Sequence, residues 1–362
     1  MDIGRVFLRI VAVGVCLGIT GCAKKVKPRL PKNTVLAAYS DGKAISHSAT
    51  SKVFESVVAD QVKGLKEHFA HQKGALTNSL DNDFLRDYCG IEPKQVNWSL
   101  LTVGEVTRRE KGQKMLIPFV AVVVHATLEK EMVLAQLAKR LSQKADAGKL
   151  VAGELEGTPV WRLIHKDLSL ADGFAPCLTF IGKEVLVLAS NEGALKEQLA
   201  LYAGQGPALD ADAELSQVIH LPNGVVSRMM VGNVQGLLQK VMTEEEHESA
   251  SEVPYLATLM KTVRWIAIDV LFTEQPQAVD VAWRVGCADD QGAQAVNEML
   301  ITLRTSMKVG LGFLIKDKPN LKPALTWLER VQLKADGKEA SLAIHATPND
   351  IKQLDLVKLL NH

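Results

Sequence analysis

Aromatic side chains are scarce in this chain of 362 residues, only 5% of the total, which counts mildly against a carbohydrate-binding surface paved with rings. An excess of one charge is missing too. The 42 basic and 41 acidic residues leave a formal net charge of +1. A nucleic-acid binder needs a basic surface, and this balance argues against one. There is no Cys-x-x-Cys pair, no His-Glu-x-x-His, no Gly-x-Ser-x-Gly and no Walker loop. Their absence removes the local signatures of zinc sites, zinc proteases, α/β-hydrolases and phosphate-loop enzymes. The hydrophobic share of 47% is that of a globular protein, far from the disordered regime.

What is present begins at the amino end. Arg5 and Arg9 precede an apolar run from Ile10 to Ile19. That run is too short for a bilayer span of ~20 residues and suits the core of a secretory signal. It closes on Ile19-Thr20-Gly21-Cys22, small residues followed by cysteine. This stretch resembles the lipobox of bacterial lipoproteins, with Ile19 where leucine is commoner and Asp2 in a region that is usually purely basic. The resemblance implies that residues 1–21 are a signal peptide and that Cys22 becomes the new first residue. It also implies acylation of Cys22, palmitate included, on sulfur and amino group, so that membrane lipid is the first partner. One acyl chain holds only marginally and several hold permanently. Ala23 stands where an Asp would imply retention at the inner membrane, so the resemblance leans toward the outer one.

Residues 22–33 follow as a basic tether. Lys24, Lys25, Lys27, Arg29 and Lys32 with Pro28 and Pro31, and no acid, read as a solvated extended linker. Loss of residues 1–21 takes Arg5, Arg9 and Asp2, leaving 40 basic and 40 acidic side chains. Cys16 leaves with the signal. Cys89, Cys177 and Cys287 remain, an odd number, and are expected as buried small hydrophobes.

The mature length suggests two domains. Two segments read alike. One starts at Trp98, runs as a strand, turns at Arg108 to Gln113, returns over Leu116 to Ala126, and continues into a helix with Val133, Leu134, Leu137 and Leu141 on one face. The other starts at Trp265 and alternates through Ile266, Ile268, Val270 and Phe272. It returns over Val279, Val281, Trp283 and Val285, then enters a helix with Val296, Met299, Leu300, Leu303 and Met307 on its face. Each ends on a hairpin, turning at Gly182-Lys183-Glu184 or Asp336-Gly337-Lys338-Glu339, and on a helix. Ser190 is the expected cap of the first, and Thr347 with Asp350 of the second. The first copy carries an extra hairpin around Gly157-Thr158-Pro159. Strands at Val35 to Tyr39 and Val225 to Val231 lead the copies.

These patterns predict an α+β fold of two similar lobes, residues 34–205 and 206–362, each a mainly antiparallel sheet with helices on one face. The boundary falls at the breaker cluster Gly204-Gln205-Gly206-Pro207, and internal duplication accounts for the likeness. The arrangement resembles uncharacterised two-lobed envelope proteins of bacteria, which implies an exported protein and carries no catalytic residue across.

Candidate chemistry is thin. His68 and His71 share a helix face with Glu67 nearby, too few ligands for a metal site. Glu244 to Glu248 around His247 reads as a solvated acidic loop. His125, His165 and His345 read as structural strand histidines. Ser46, Ser48 and Ser51 around His47 read as a polar turn before a helix. Gly310-Leu311-Gly312 reads as a turn, and Asp289 with Asp290 as a helix start. Trp161 and Trp327 are placed in or just before strands, as core. The sequence therefore points to no catalytic residue, no cofactor and no metal, and to one modified residue, Cys22. It leads to a non-enzymatic envelope lipoprotein that binds or scaffolds another envelope protein. A carrier of an apolar ligand comes second, and a hydrolase assembled from distant residues third.

Overall fold

The computed structural model describes residues 26–57, 84–110, 113–142, 148–164, 175–210, 213–241, 257 and 260–353. The chain divides into two compact units: Met1–His47 with Asn82–Leu221, and Ser48–Asp81 with Pro222–His362. Cys22, the pair His68 and His71, Glu244 to Glu248 and His165 lie outside the described residues.

The first unit is an antiparallel sheet of β1 (Thr34–Asp41), β2 (Val96–Glu110), β3 (Gln113–Ala126), β4 (Lys149–Leu155), β5 (Thr158–Ile164), β6 (Cys177–Ile181) and β7 (Val185–Ala189). Its strand order is β1-β2-β3-β7-β6-β5-β4. Helices α1 (Gly42–His47), α2 (Phe84–Cys89), α3 (Lys130–Ser142) and α4 (Glu192–Tyr202) belong to it. On α3 the spacing of Val133, Leu137 and Leu141 puts all three on one buried face, as the sequence periodicity predicts. Val133 and Leu137 close over Val124, Leu178 and Leu186 in a core shared with Leu85 and Ile91 of the α2 region. Gln198 of α4 donates to Thr102 Oγ1, on the opposite sheet face.

The second unit holds β8 (Val225–Val231), α5 (Val234–Val241), β9 (Val263–Glu274), β10 (Gln277–Cys287), α6 (Asp290–Leu314), α7 (Lys322–Arg330), β11 (Gln332–Asp336), β12 (Glu339–Ala346) and α8 (Pro348–Gln353). Its strand order, β8-β9-β10-β12-β11, repeats β1-β2-β3-β7-β6 of the first unit strand for strand. The fold is α+β, two similar lobes built on antiparallel sheets. The tryptophans that lead the two segments occupy matching places. Trp98 pairs with His125 across the strands and stacks on it at 5.4 Å. Trp265 pairs with Gly286, and a Cβ at Gly286 would lie 2.0 Å from the indole, so only glycine admits that ring.

Several local expectations change. The turn at Arg108 to Gln113 is tighter than the polar run suggested: β2 reaches Glu110 and β3 starts at Gln113. Asn191, not Ser190, caps α4 by accepting from the Ala194 N–H, because the Ser190 hydroxyl accepts from Val120 N of β3. Trp327 lies within a helix, α7. Gly310-Leu311-Gly312 is no turn but part of the 25-residue α6. Each helical glycine costs about 1 kcal/mol against alanine, and that cost is absorbed in a long helix started by Asp289, which accepts from Gly292 N at 2.7 Å.

The tether is shorter than its composition suggests. Trp98 Nε1 donates to the Val26 carbonyl, Arg29 Nη1 to the Leu201 carbonyl, and Lys32 N to the Pro207 carbonyl. Leu30 is buried. An apolar side chain and a guanidinium with a carbonyl partner fix residues 26–33 to the first unit despite their charge. Beyond Gly204, whose φ is +77°, the first unit continues through a 3-10 helix, Glu214–Ile219, that buries Leu215 and Val218.

Candidate functional site

Strand register in the second unit sets apolar rows across one sheet face. Phe272 stands opposite Val279 and Val279 opposite Ala346. The next rows are Val270, Val281 and Ile344, then Ile268, Trp283 and Leu342, then Ile266, Val285 and Ala340. Helix α6 packs on the last row: Ala293 and Val296 pack with Val263, Cys287 and Ala340, and Val285 and Leu300 lean on them. None of Ile268, Val270, Phe272, Val279, Val281, Leu342 and Ile344 is buried, and Ile266 and Trp283 are exposed. The matching face of the first unit differs. There Leu101, Val103, Val120, Val124, Leu178 and Leu186 are all buried.

The same helix carries the apolar surface further. Its contact stripe of Ala293, Val296 and Leu300 continues at helical spacing through Leu303, Met307 and Leu314. These last three are exposed, Leu303 by 54%. Ile301, Val309 and Phe313 widen the surface, Phe313 being 67% exposed. Only two charges occur from Met299 to Ile315, and both are occupied: Arg304 donates to the Val331 carbonyl at 2.8 Å, and Lys308 lies 3.8 Å from Glu329 of α7. Soluble monomers rarely expose contiguous apolar patches beyond a few hundred Å², and larger ones mark interaction sites. The sequence placed Leu303 and Met307 on the core side of this helix. Periodicity names the face but not whether a partner lies beneath it.

The opposite face of the same sheet is polar. Arg228 of β8 grips Asp269 of β9 with two hydrogen bonds of 2.6 Å, and both side chains are 4% exposed. Arg284 of β10 reaches Asp269 at 3.4 Å and holds Glu339 through two bonds of 2.6 Å. The four charges cancel along a ladder. The hydrogen bonds that Arg284 donates to Glu339 raise its own pKa further, against the opposing effect of burial. Sequence reasoning missed it because its members are 15 to 55 positions apart.

A concavity of about 640 Å³ opens near Arg330, Gln332, His345, Thr347, Asn349 and Asp350. Its groups are engaged with one another. His345 Nδ1 pairs with Asp280 at 2.7 Å, and the Thr347 hydroxyl donates to Asp350, which also pairs with Arg330. Burial raises the Asp350 pKa, but bonds from Thr347 and then the charge of Arg330 outweigh it and hold it below the usual carboxylate range. The Thr347–Asp350 capping box matches the sequence expectation. With its pKa held low, the Asp350 carboxylate is a weak base for the Thr347 proton.

The other candidates resolve as structural groups. His125 is 3% exposed between Trp98 and Glu184. The Ser46 hydroxyl donates to the Lys43 carbonyl, His47 Nδ1 lies 2.8 Å from that oxygen, and Ser48 accepts from Ser51 N. Trp161 lies in β5, edge-on to Phe180 with the Lys130 ammonium above it. Cys89, Cys177 and Cys287 are buried. Burial pushes the Cys177 thiol up to about 12, with Glu192 adding to the rise and Arg162 opposing it. Among the described residues there is no cluster of three metal-ligating side chains, and no helix is long and apolar enough to cross a membrane.

No family model matches the chain, and no curated protein does. Among solved structures, two crystal forms of TP0453 resemble it. Form I is 6% identical with a TM-score of 0.40, covering 92% of this chain and 98% of that one. Form IV is 5% identical with a TM-score of 0.41, covering 91% and 94%.

Proposed function

We propose that the chain is a lipoprotein of the bacterial cell envelope, anchored through acylated Cys22 and without enzymatic activity, that binds another envelope protein on the open apolar face of the second unit. The observation that carries the binding role is the contrast between two sheets of one topology. In the first unit α3 packs with Val124, Leu178 and Leu186 into a buried core; in the second, α6 packs on the last row and leaves Trp283, Leu303 and Phe313 exposed. Burying such side chains on a partner stabilises the complex by about 25 cal/mol per Å² of apolar area. The lipobox at Ile19 to Cys22 supports the anchor, and Ala23 favours the outer membrane.

Radioactive palmitate tests the anchor. Label enters the wild type and is lost in Cys22→Ser; absence of label in the wild type, or its persistence in the variant, removes the anchor. A photo-crosslinker at Phe313 tests the binding role in intact cells. A single adduct of defined mass, weakened by Leu303→Gln, is expected, and no adduct at normal expression counts against it. Carriage of an apolar ligand is a second reading, favoured by the sheet face and helix stripe being open on the same side. Stoichiometric lipid in the organic extract of the purified protein would select it over the first.

A further inference from the structure

The docked start of the chain has a geometric consequence. From Val26 onward the backbone is bound to the first unit, with Trp98 Nε1 on the Val26 carbonyl at 3.1 Å and Arg29 on the Leu201 carbonyl at 2.9 Å. Ala23, Lys24 and Lys25 alone separate Cys22 from Val26. Four residue steps, at no more than 3.6 Å each, span about 14 Å. An acylated Cys22 therefore holds Val26, where the docked strip begins, within about 14 Å of the bilayer surface. The strip carries three cations: Lys27, Arg29 and Lys32 are exposed, Arg29 with one guanidinium nitrogen held by the Leu201 carbonyl, while Leu30 and Pro31 are buried. No acid occurs from Ala23 to Asn33.

We propose that this strip is a membrane-docking surface for anionic lipid headgroups, which seats the first unit against the bilayer instead of letting it swing on a linker. The proposal rests on acylation at Cys22 for proximity. Its chemistry is separate: a short row of fixed cations meets a negatively charged leaflet. A leash of four residues keeps the local headgroup concentration high, so contacts that are weak one by one stay occupied. The buried leucine and the two backbone-facing bonds pre-order the row, so little ordering entropy is lost on docking.

The charge arm is tested without the lipid, so failure of the anchor does not imitate failure of this idea. The full mature chain carrying Cys22→Ser is sedimented with phosphatidylcholine vesicles, either pure or with about one-third phosphatidylglycerol. Binding is expected to the anionic vesicles only, to weaken with salt, and to fall roughly tenfold or more in Lys27→Gln/Lys32→Gln. Both side chains are exposed, so the variant should melt like its parent, and a melting curve checks this. Equal binding to both vesicle types, no binding to either, or undiminished binding by a folded variant overturns the proposal. A Lys183→Gln/Lys338→Gln control, which removes two positive charges from exposed turns outside the strip, should leave binding within about twofold.

Discussion

Asp269 has 3% of its surface exposed and faces two guanidinium groups. Removing it takes from buried Arg228 the carboxylate it holds with two bonds, so Asp269→Ala should destabilise the second unit by about 3–5 kcal/mol in urea unfolding. Arg228→Met/Asp269→Leu should cost less, since both members of the buried pair leave together. The half-exposed end of the ladder behaves differently, and Glu339→Gln should cost about 1 kcal/mol or less. Asp350 supplies a pH signature. Its folded pKa lies below the unfolded value, so its contribution is complete above the unfolded pKa near 4. It is lost as pH falls through the folded pKa, and Asp350→Asn should flatten the acid limb of the stability curve. Cys177, with its thiol raised to about 12, should resist a thiol reagent at pH 8 until the chain unfolds. At this scale the sequence was informative where interactions are local: the Asp289 cap and the Thr347–Asp350 box sit three residues apart. The Arg228–Asp269 pair needs a strand register to bring 41 positions together, and no local pattern announces it.

Helices α3 and α6 follow strands of the same place in the two orders, yet their apolar stripes meet different fates. Leu137 of α3 is wholly buried, and Leu137→Ala should cost about 2–5 kcal/mol. Leu303 of α6 is mostly in water, so Leu303→Gln should change stability by no more than about 0.5 kcal/mol. If unfolding shows the two substitutions to be equally costly, the α6 stripe is part of a core and not a free surface. Helical periodicity was equally clear in both segments, which is why both helices were legible. Burial depends on what the sheet presents underneath, and that is a tertiary property. The same limit misplaced Gly310-Leu311-Gly312: two glycines signal a turn locally, but nothing within 4 Å constrains either position, and the helix simply continues.

Across the whole chain the two sheets share one strand order, and the leading tryptophans, terminal hairpins and following helices foreshadowed it. What the repeat could not foretell is the division of labour between its copies, one sealed and one open. The docked residues 26–33 were likewise hidden, because five lysines and arginines between Ala23 and Asn33 mask a single buried leucine. The account turns on the open face being covered in the cell. A cysteine at Phe313, on a background of buried native thiols, reports this through its maleimide labelling rate in isolated envelopes and in purified protein. Labelling at least tenfold slower in the envelopes is predicted; equal rates in the two would contradict the account.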